Sequence, residues 1–174
     1  MRKISLTLVL LLFLVPAVGH AEGNTLMLGV QSISFGADLG NYYDISPGVG
    51  VTLLYAFDAG IPFDIRYGVR KTTEGISNDD LKYQWIEFGP RFDMGVRGTS
   101  LQPDWFLGLG SYDLEIGDKK FDAALGAYIG LGIEETMSEK FVGRIEIKSV
   151  YWRSDTGNTD GASLNLSLLY GFRF

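Results

Sequence analysis

Apolar residues fall on every second position along much of the chain, and the clearest case is its last stretch. Over 162–174, Ala162, Leu164, Leu166, Leu168, Tyr170, Phe172 and Phe174 alternate with Ser163, Asn165, Ser167, Leu169, Gly171 and Arg173, which apart from Leu169 are small or polar. A period of two is that of a β-strand with one apolar face. The same alternation predicts a first strand through Leu26, Leu28 and Val30 to about Gly36, and a second with Val49, Val51, Leu53, Tyr55 and Phe57 on one face. Phe63, Ile65, Tyr67 and Val69 mark a third, Ile86, Phe88 and Phe92 a fourth, and Trp105, Leu107 and Leu109 a fifth over about 104–113. Phe121, Ala123, Leu125, Ala127, Ile129, Leu131 and Ile133 carry a sixth, and Phe141, Ile145 and Ile147 a seventh that ends near Trp152. The intervening segments are rich in the Gly, Asp, Asn and Pro of turns, among them a polar connection through Glu115, Gly117, Asp118 and Lys119.

The opposite faces of these strands separate a membrane barrel from a soluble sandwich. Between the apolar positions stand Asp64, Glu87, Asp93, Asp122, Glu134 and Glu146, with Arg66, Arg70, Arg91, Arg144, Lys148 and Arg173, six acids and six bases. A soluble core has no place for so many charges, whereas a barrel with lipid outside carries them in its interior. The predicted strands have the length of roughly 9–11 residues that crosses a bilayer at a tilt. Eight strands enclose a lumen only wide enough for side chains to fill. Unpaired ions there would cost several kcal/mol each, so the twelve charges are expected to pair into a hydrogen-bonded plug. The expected fold is therefore all-β, an eight-stranded antiparallel up-and-down transmembrane β-barrel. Tyr42, Tyr43, Tyr83, Trp85, Tyr151 and Trp152 gather towards one end of the strands, and Phe57, Phe63, Trp105, Phe141, Phe172 and Phe174 towards the other, as two interfacial girdles would.

The beginning of the chain agrees with export. Arg2 and Lys3 precede an apolar run over 4–15, and Pro16 leads to the small residues Ala17, Gly19 and Ala21. A cleavable signal peptide is expected over 1–21 and a single barrel domain over 22–174. The apolar run is shorter than the roughly 20 residues a transmembrane helix needs. With the amino terminus in the periplasm, the connections near Gly60, Ser100 and Ser138 would be periplasmic, and those near Asn41, Ser77, Gly117 and Asn158 would face outside.

Composition removes several function classes. Of 15 basic and 21 acidic residues, Arg2 and Lys3 leave with the leader, so the exported chain is more acidic than the formal charge of −6. Such a balance argues against nucleic acid as a partner. The chain has no cysteine, hence neither a disulfide framework nor a thiol for lipid attachment. Its one histidine, His20, lies in the leader, which takes away the usual general base and the His-dependent hydrolases built on it. Without His and Cys only oxygen donors remain for a metal, and no loop has a recognisable calcium spacing. No catalytic, cofactor-binding or metal-ligating residue is assigned.

The leader, the eight strands, the elements Gly130, Leu131, Gly132, Ile133, Glu134 and Gly143, Arg144, Ile145, Glu146, Ile147, and the terminal Tyr170, Gly171, Phe172, Arg173, Phe174 together resemble the OmpX/OmpA-type outer-membrane β-barrel superfamily. The resemblance covers the whole exported chain. It implies a bacterial outer-membrane location, contact with membrane lipids and lipopolysaccharide, and reading of Leu166, Leu168, Tyr170, Phe172 and Phe174 by the barrel assembly machinery as an assembly signal. It is specific for architecture and not for function, because the superfamily includes adhesins, complement-evasion proteins, structural barrels and lipid A-modifying enzymes. The expected role is that of a monomeric structural or cell-surface interaction barrel whose outer loops face an extracellular ligand. A narrow channel or small-solute transporter, a lipid-active enzyme and a soluble lipocalin-like barrel are the alternatives.

Overall fold

A computed structural model of the chain describes residues 24–36, 47–58, 61–73, 80–95, 100–153 and 160–174, with backbone alone at 58, 72–73, 119–123 and 160. Eight strands follow one another: β1 Thr25–Gly36, β2 Gly48–Asp58, β3 Pro62–Thr73, β4 Asp80–Asp93, β5 Leu101–Ile116, β6 Lys119–Thr136, β7 Phe141–Arg153 and β8 Asp160–Arg173. Each pairs antiparallel with the next, and β8 returns to β1 with Arg173 opposite Thr25 and Ala162 opposite Gly36, which closes the barrel. A closed sheet satisfies every strand from both sides, the condition a β-structure must meet in hydrocarbon.

The two faces of the wall follow the alternation of the sequence. Leu28, Val30, Val49, Phe88, Leu109, Ile129, Leu166 and Leu168 are each more than half exposed on the outside of the barrel. Their inward neighbours Met27, Leu54, Glu87 and Leu169 are almost fully buried. The lumen is therefore this protein's core, and the apolar outer band is covered by lipid only when the barrel sits in a membrane.

Two boundaries differ from the alternation, both around β5. This strand begins at Leu101 and runs to Ile116, well beyond 104–113, so Glu115 lies within it. The connection to β6 shrinks to 117–118, with Ile116 paired to Lys119 across the turn and Gly117 at φ 55°. That backbone angle is the left-handed one that glycine adopts without penalty, which allows so tight a hairpin. The polar composition of the segment belongs to the exposed end of a long hairpin.

The register also shifts between Tyr112 and Leu114: Tyr112 lies opposite Ala124, but Leu114 lies opposite Phe121. Two β6 residues, 122 and 123, thus face one β5 residue, and the simple alternation through Asp122 does not continue across this bulge. The side chain of Asp122 lies outside the described residues, as do the expected signal peptide at 1–21, the loop positions Asn41, Ser77 and Asn158, and Tyr42 and Tyr43.

Candidate functional site in the barrel lumen

The lumen is built in two storeys. At the end where β8 finishes, charged side chains from six strands meet. Arg66 of β3 donates from Nη2 to Asp64 at 2.8 Å and from Nη1 to Glu146 of β7 at 3.2 Å. β3 and β7 stand on opposite sides of the ring of eight, so this second bond crosses the full width of the lumen. On β7, Arg144 donates from Nε to Glu146 at 3.0 Å and grips both carboxylate oxygens of Asp104 on β5, Nη2 reaching Oδ1 at 2.7 Å.

A second chain lies beside the first. Arg91 of β4 and Arg173 of β8 donate to the two oxygens of Glu134 on β6, at 2.9 and 3.0 Å. The two chains touch where Arg91 approaches Asp64 at 3.8 Å and Arg144 approaches Glu134 at 3.9 Å. One carboxylate serving two guanidiniums, and one guanidinium serving two carboxylates, are the arrangements that offset the desolvation of ions in so narrow a space.

Above this floor stands a further ion pair. Lys148 of β7 donates to Glu87 of β4, whose other oxygen accepts from the Tyr112 hydroxyl at 3.1 Å. The Arg66 guanidinium lies over the Phe106 ring, 4.0 Å from its centroid, joining the charged floor to the aromatic layer.

Beyond that level apolar and aromatic side chains dominate the lumen. Ile33, Leu81, Tyr83, Trp85, Tyr112, Leu114, Val150 and Trp152 form one buried cluster with Phe35 packed against it. Tyr83 contacts Trp85, Tyr112 and Trp152 at centroid distances of 5.0, 6.3 and 5.7 Å. Arg70 is buried in this storey, its guanidinium 5.4 Å from the centre of the Phe35 ring.

The expected interior charges are thus placed as follows. Asp64, Arg66, Glu87, Arg91, Glu134, Arg144, Glu146, Lys148 and Arg173 enter the two ion-pair layers, and Arg70 lies among aromatic rings. Asp93 does not enter: it is the exposed last residue of β4, and its Oδ1 accepts from the Gly95 backbone N–H at 2.7 Å, closing the turn in which Gly95 has φ 72°. Its place among the buried carboxylates is taken by Asp104, the first residue of the expected fifth strand. Counting back from outward Trp105 marks Asp104 as inward.

The expected outer girdle is also corrected. Tyr83, Trp85 and Trp152 point into the lumen, whereas Tyr151 faces out. Glycine seats make the inward indoles fit: a Cβ at Gly68 would collide with the Trp85 ring, and one at Gly161 with the Trp152 ring. At the other end the outward aromatics do gather, with Phe57 stacked on Phe63 and Phe172 on Phe174. Among the described residues no group of three or more His, Cys, Asp or Glu is arranged to hold a metal ion.

Comparison with known proteins agrees with this architecture. A family model described as the outer membrane protein beta-barrel domain matches residues 5–172. No curated protein sequence gives a significant match. Among solved structures, the Neisserial surface protein A (NspA) shares 15% identity over 90% of this chain and 100% of its own, with a TM-score of 0.74. The attachment invasion locus protein Ail of Yersinia pestis, solved with the heparin analogue sucrose octasulfate, shares 17% identity over 88% of this chain and 99% of its own, with a TM-score of 0.53. The outer membrane enzyme PagL shares 14% identity over 85% and 99%, with a TM-score of 0.51. At such identities the likeness is one of fold, and a fold that carries both an attachment protein and an enzyme assigns no activity by itself. With the family model spanning nearly the whole sequence and the closed eight-stranded barrel beneath it, the chain belongs to the outer membrane protein β-barrel domain family, which implies the bacterial outer membrane as its place.

Proposed function

We propose that this protein is a small integral outer-membrane barrel with a structural or cell-surface interaction role, no catalysis, and a lumen plugged by its own charges. The observation that carries the reading is the ion-pair lattice that runs from Asp64 through Arg66, Glu146 and Arg144 to Asp104 and reaches across the barrel. Every carboxylate in that chain is held by a guanidinium on another residue, which leaves none poised as a general base and none lining an open water path. The absence of histidine beyond His20 supports a non-enzymatic reading in a fold that elsewhere hosts an enzyme.

In this reading the outward leucines, isoleucines and aromatics contact membrane lipid and lipopolysaccharide, and the barrel works as a monomer. The barrel assembly machinery recognises β8 through Leu166, Leu168, Tyr170, Phe172 and Phe174, which all lie on its lipid face. Export proceeds through the signal peptide at 1–21. The outer loops meet an extracellular ligand, and the excess of acidic over basic residues, larger still once Arg2 and Lys3 leave with the leader, favours a neutral or cationic one over a polyanion of the kind bound to Ail.

Planar-bilayer recording on the purified barrel tests the plug. Silent bilayers, with incorporation verified by protein recovered from the membrane, are the expected result. Steady ion conductance whose selectivity changes in Arg66→Gln or Glu87→Gln would replace this reading with a narrow channel. Turnover of a lipid substrate by the same preparation would replace it with an enzyme.

A further inference from the structure

Four oxidisable rings touch one another in the aromatic storey, and one of them is hydrogen-bonded to a base. The centroids of Trp85 and Tyr83 lie 5.0 Å apart, and those of Tyr83 and Trp152 5.7 Å. Trp152 stacks on Tyr112 at 5.3 Å with 21° between the planes, and Tyr83 stacks on Tyr112 at 6.3 Å and 11°. All four are buried, and they come from β4, β5 and β7. Indole and phenol are the ring side chains that give up a single electron most readily, and rings in contact pass the resulting vacancy from one to the next.

What separates Tyr112 from its neighbours is the fate of its proton. A phenol that loses an electron becomes a strong acid, and where charge is poorly solvated the loss is easy only if a base already holds the hydroxyl proton. The Tyr112 hydroxyl donates to Glu87 Oε1 at 3.1 Å, and both residues are fully buried. The other Glu87 oxygen accepts from Lys148, so the carboxyl stays held in place when Oε1 takes up a proton. Tyr128 is the contrast: it is also buried in the lumen, but its hydroxyl has no hydrogen-bond partner among the described residues, and neither has Trp85 Nε1.

The geometry points to Tyr112 as a one-electron oxidation site, fed through Trp152 and paired with Glu87 as its proton acceptor. Trp152 follows the exposed Tyr151 in β7, so the relay begins on the outer surface of the wall. The oxidant is an oxygen-centred radical arriving at the membrane surface. It takes one electron from the rings and becomes its anion, and the vacancy settles on Tyr112. The hydroxyl proton crosses the hydrogen bond to Glu87, leaving a neutral phenoxyl radical beside a neutral carboxyl whose second oxygen still accepts from Lys148. Return of one electron sends the proton back to Tyr112. The barrel thereby holds an oxidising equivalent inside its wall and away from lipid, a role beyond the structural one and independent of whether the lumen conducts.

The test is flash oxidation of the full exported chain folded in lipid nanodiscs, using photogenerated tris(bipyridine)ruthenium(III) with persulfate as the electron acceptor. Ascorbate added after the flash removes radicals on exposed tyrosines, and electron paramagnetic resonance reads what persists. A persistent phenoxyl signal is expected from the wild type. Tyr112→Phe keeps the ring and its packing and loses that signal. Glu87→Gln leaves the hydroxyl a partner but no base, so an indole radical replaces the phenoxyl. Trp152→Phe, which interrupts the relay, lowers the phenoxyl yield several-fold. Heat-modifiable gel mobility checks that each variant is folded. A wild type without persistent phenoxyl would overturn the site, as would the same signal in folded Tyr112→Phe or folded Glu87→Gln; an unchanged yield in folded Trp152→Phe would overturn the route.

Discussion

Arg144 shows how a single residue ties the charges of the lumen together. Its guanidinium bridges Asp104 on β5 and Glu146 on its own strand, and its seat is the bare Gly132, where a Cβ would collide with it. Arg144→Met keeps much of the stem and removes the charge, leaving two buried carboxylates short of a partner. A loss of about 3–5 kcal/mol is expected, measured by denaturant unfolding of the barrel in lipid or detergent. Asp93 is the contrast, because it was expected in the same network and instead closes an exposed turn. Asp93→Asn retains the acceptor oxygen and should change stability by no more than about 0.5 kcal/mol. A large cost at Asp93, or a negligible one at Arg144, would show the lattice to be assigned to the wrong residues.

At the scale of the strand, the legible part of the structure is the part that lipid dictates. A membrane strand must present apolar groups on alternate positions, so β8 and most of β6 could be read residue by residue, and with them the inward Arg144, Glu146 and Lys148 of β7. Trp85 was misplaced because aromatics near a strand end suggest an interfacial girdle, yet parity from inward Glu87 puts positions 85 and 83 in the lumen. The alternation was the better guide there. The bulge opposite Asp113 is a different matter: an extra residue changes the parity of everything beyond it without any mark in composition.

Two predictions belong to this scale. Arg placed at Leu166 or Ile129, both on the lipid face, should cost about 2–4 kcal/mol near the bilayer midplane, read from the same unfolding curves. Unaltered stability at both positions would contradict the outward assignment. Phe174 stacks on Phe172 and its backbone N–H reaches Asn24 at the barrel seam. Deleting it should slow insertion and accumulate unfolded chain in the periplasm, seen by fractionation after pulse labelling; insertion at the normal rate would show that the assembly signal does not need it.

The molecule as a whole turns a soluble protein inside out, with its ion pairs in the middle and its leucines on the surface. Its interior is nevertheless not uniform. A lattice of charges fills one end and a cluster of rings the other, with Glu87, Lys148 and Tyr112 between them. In a barrel of this strand number the side chains of both storeys are expected to fill the interior, which is what the proposed plug requires. Such a body needs lipid around it, resists detergent while its sheet is closed, and binds detergent like an ordinary chain only after the sheet has opened.

Gel mobility of unheated against boiled protein from isolated outer membranes therefore tests the central claim most directly. The account predicts that the protein is found in that fraction, that the unheated sample runs as a compact species, and that boiling converts it to the mobility of the unfolded chain. Protein recovered in the soluble periplasmic fraction, with the same mobility before and after boiling, would contradict the integral closed barrel and with it the plugged lumen.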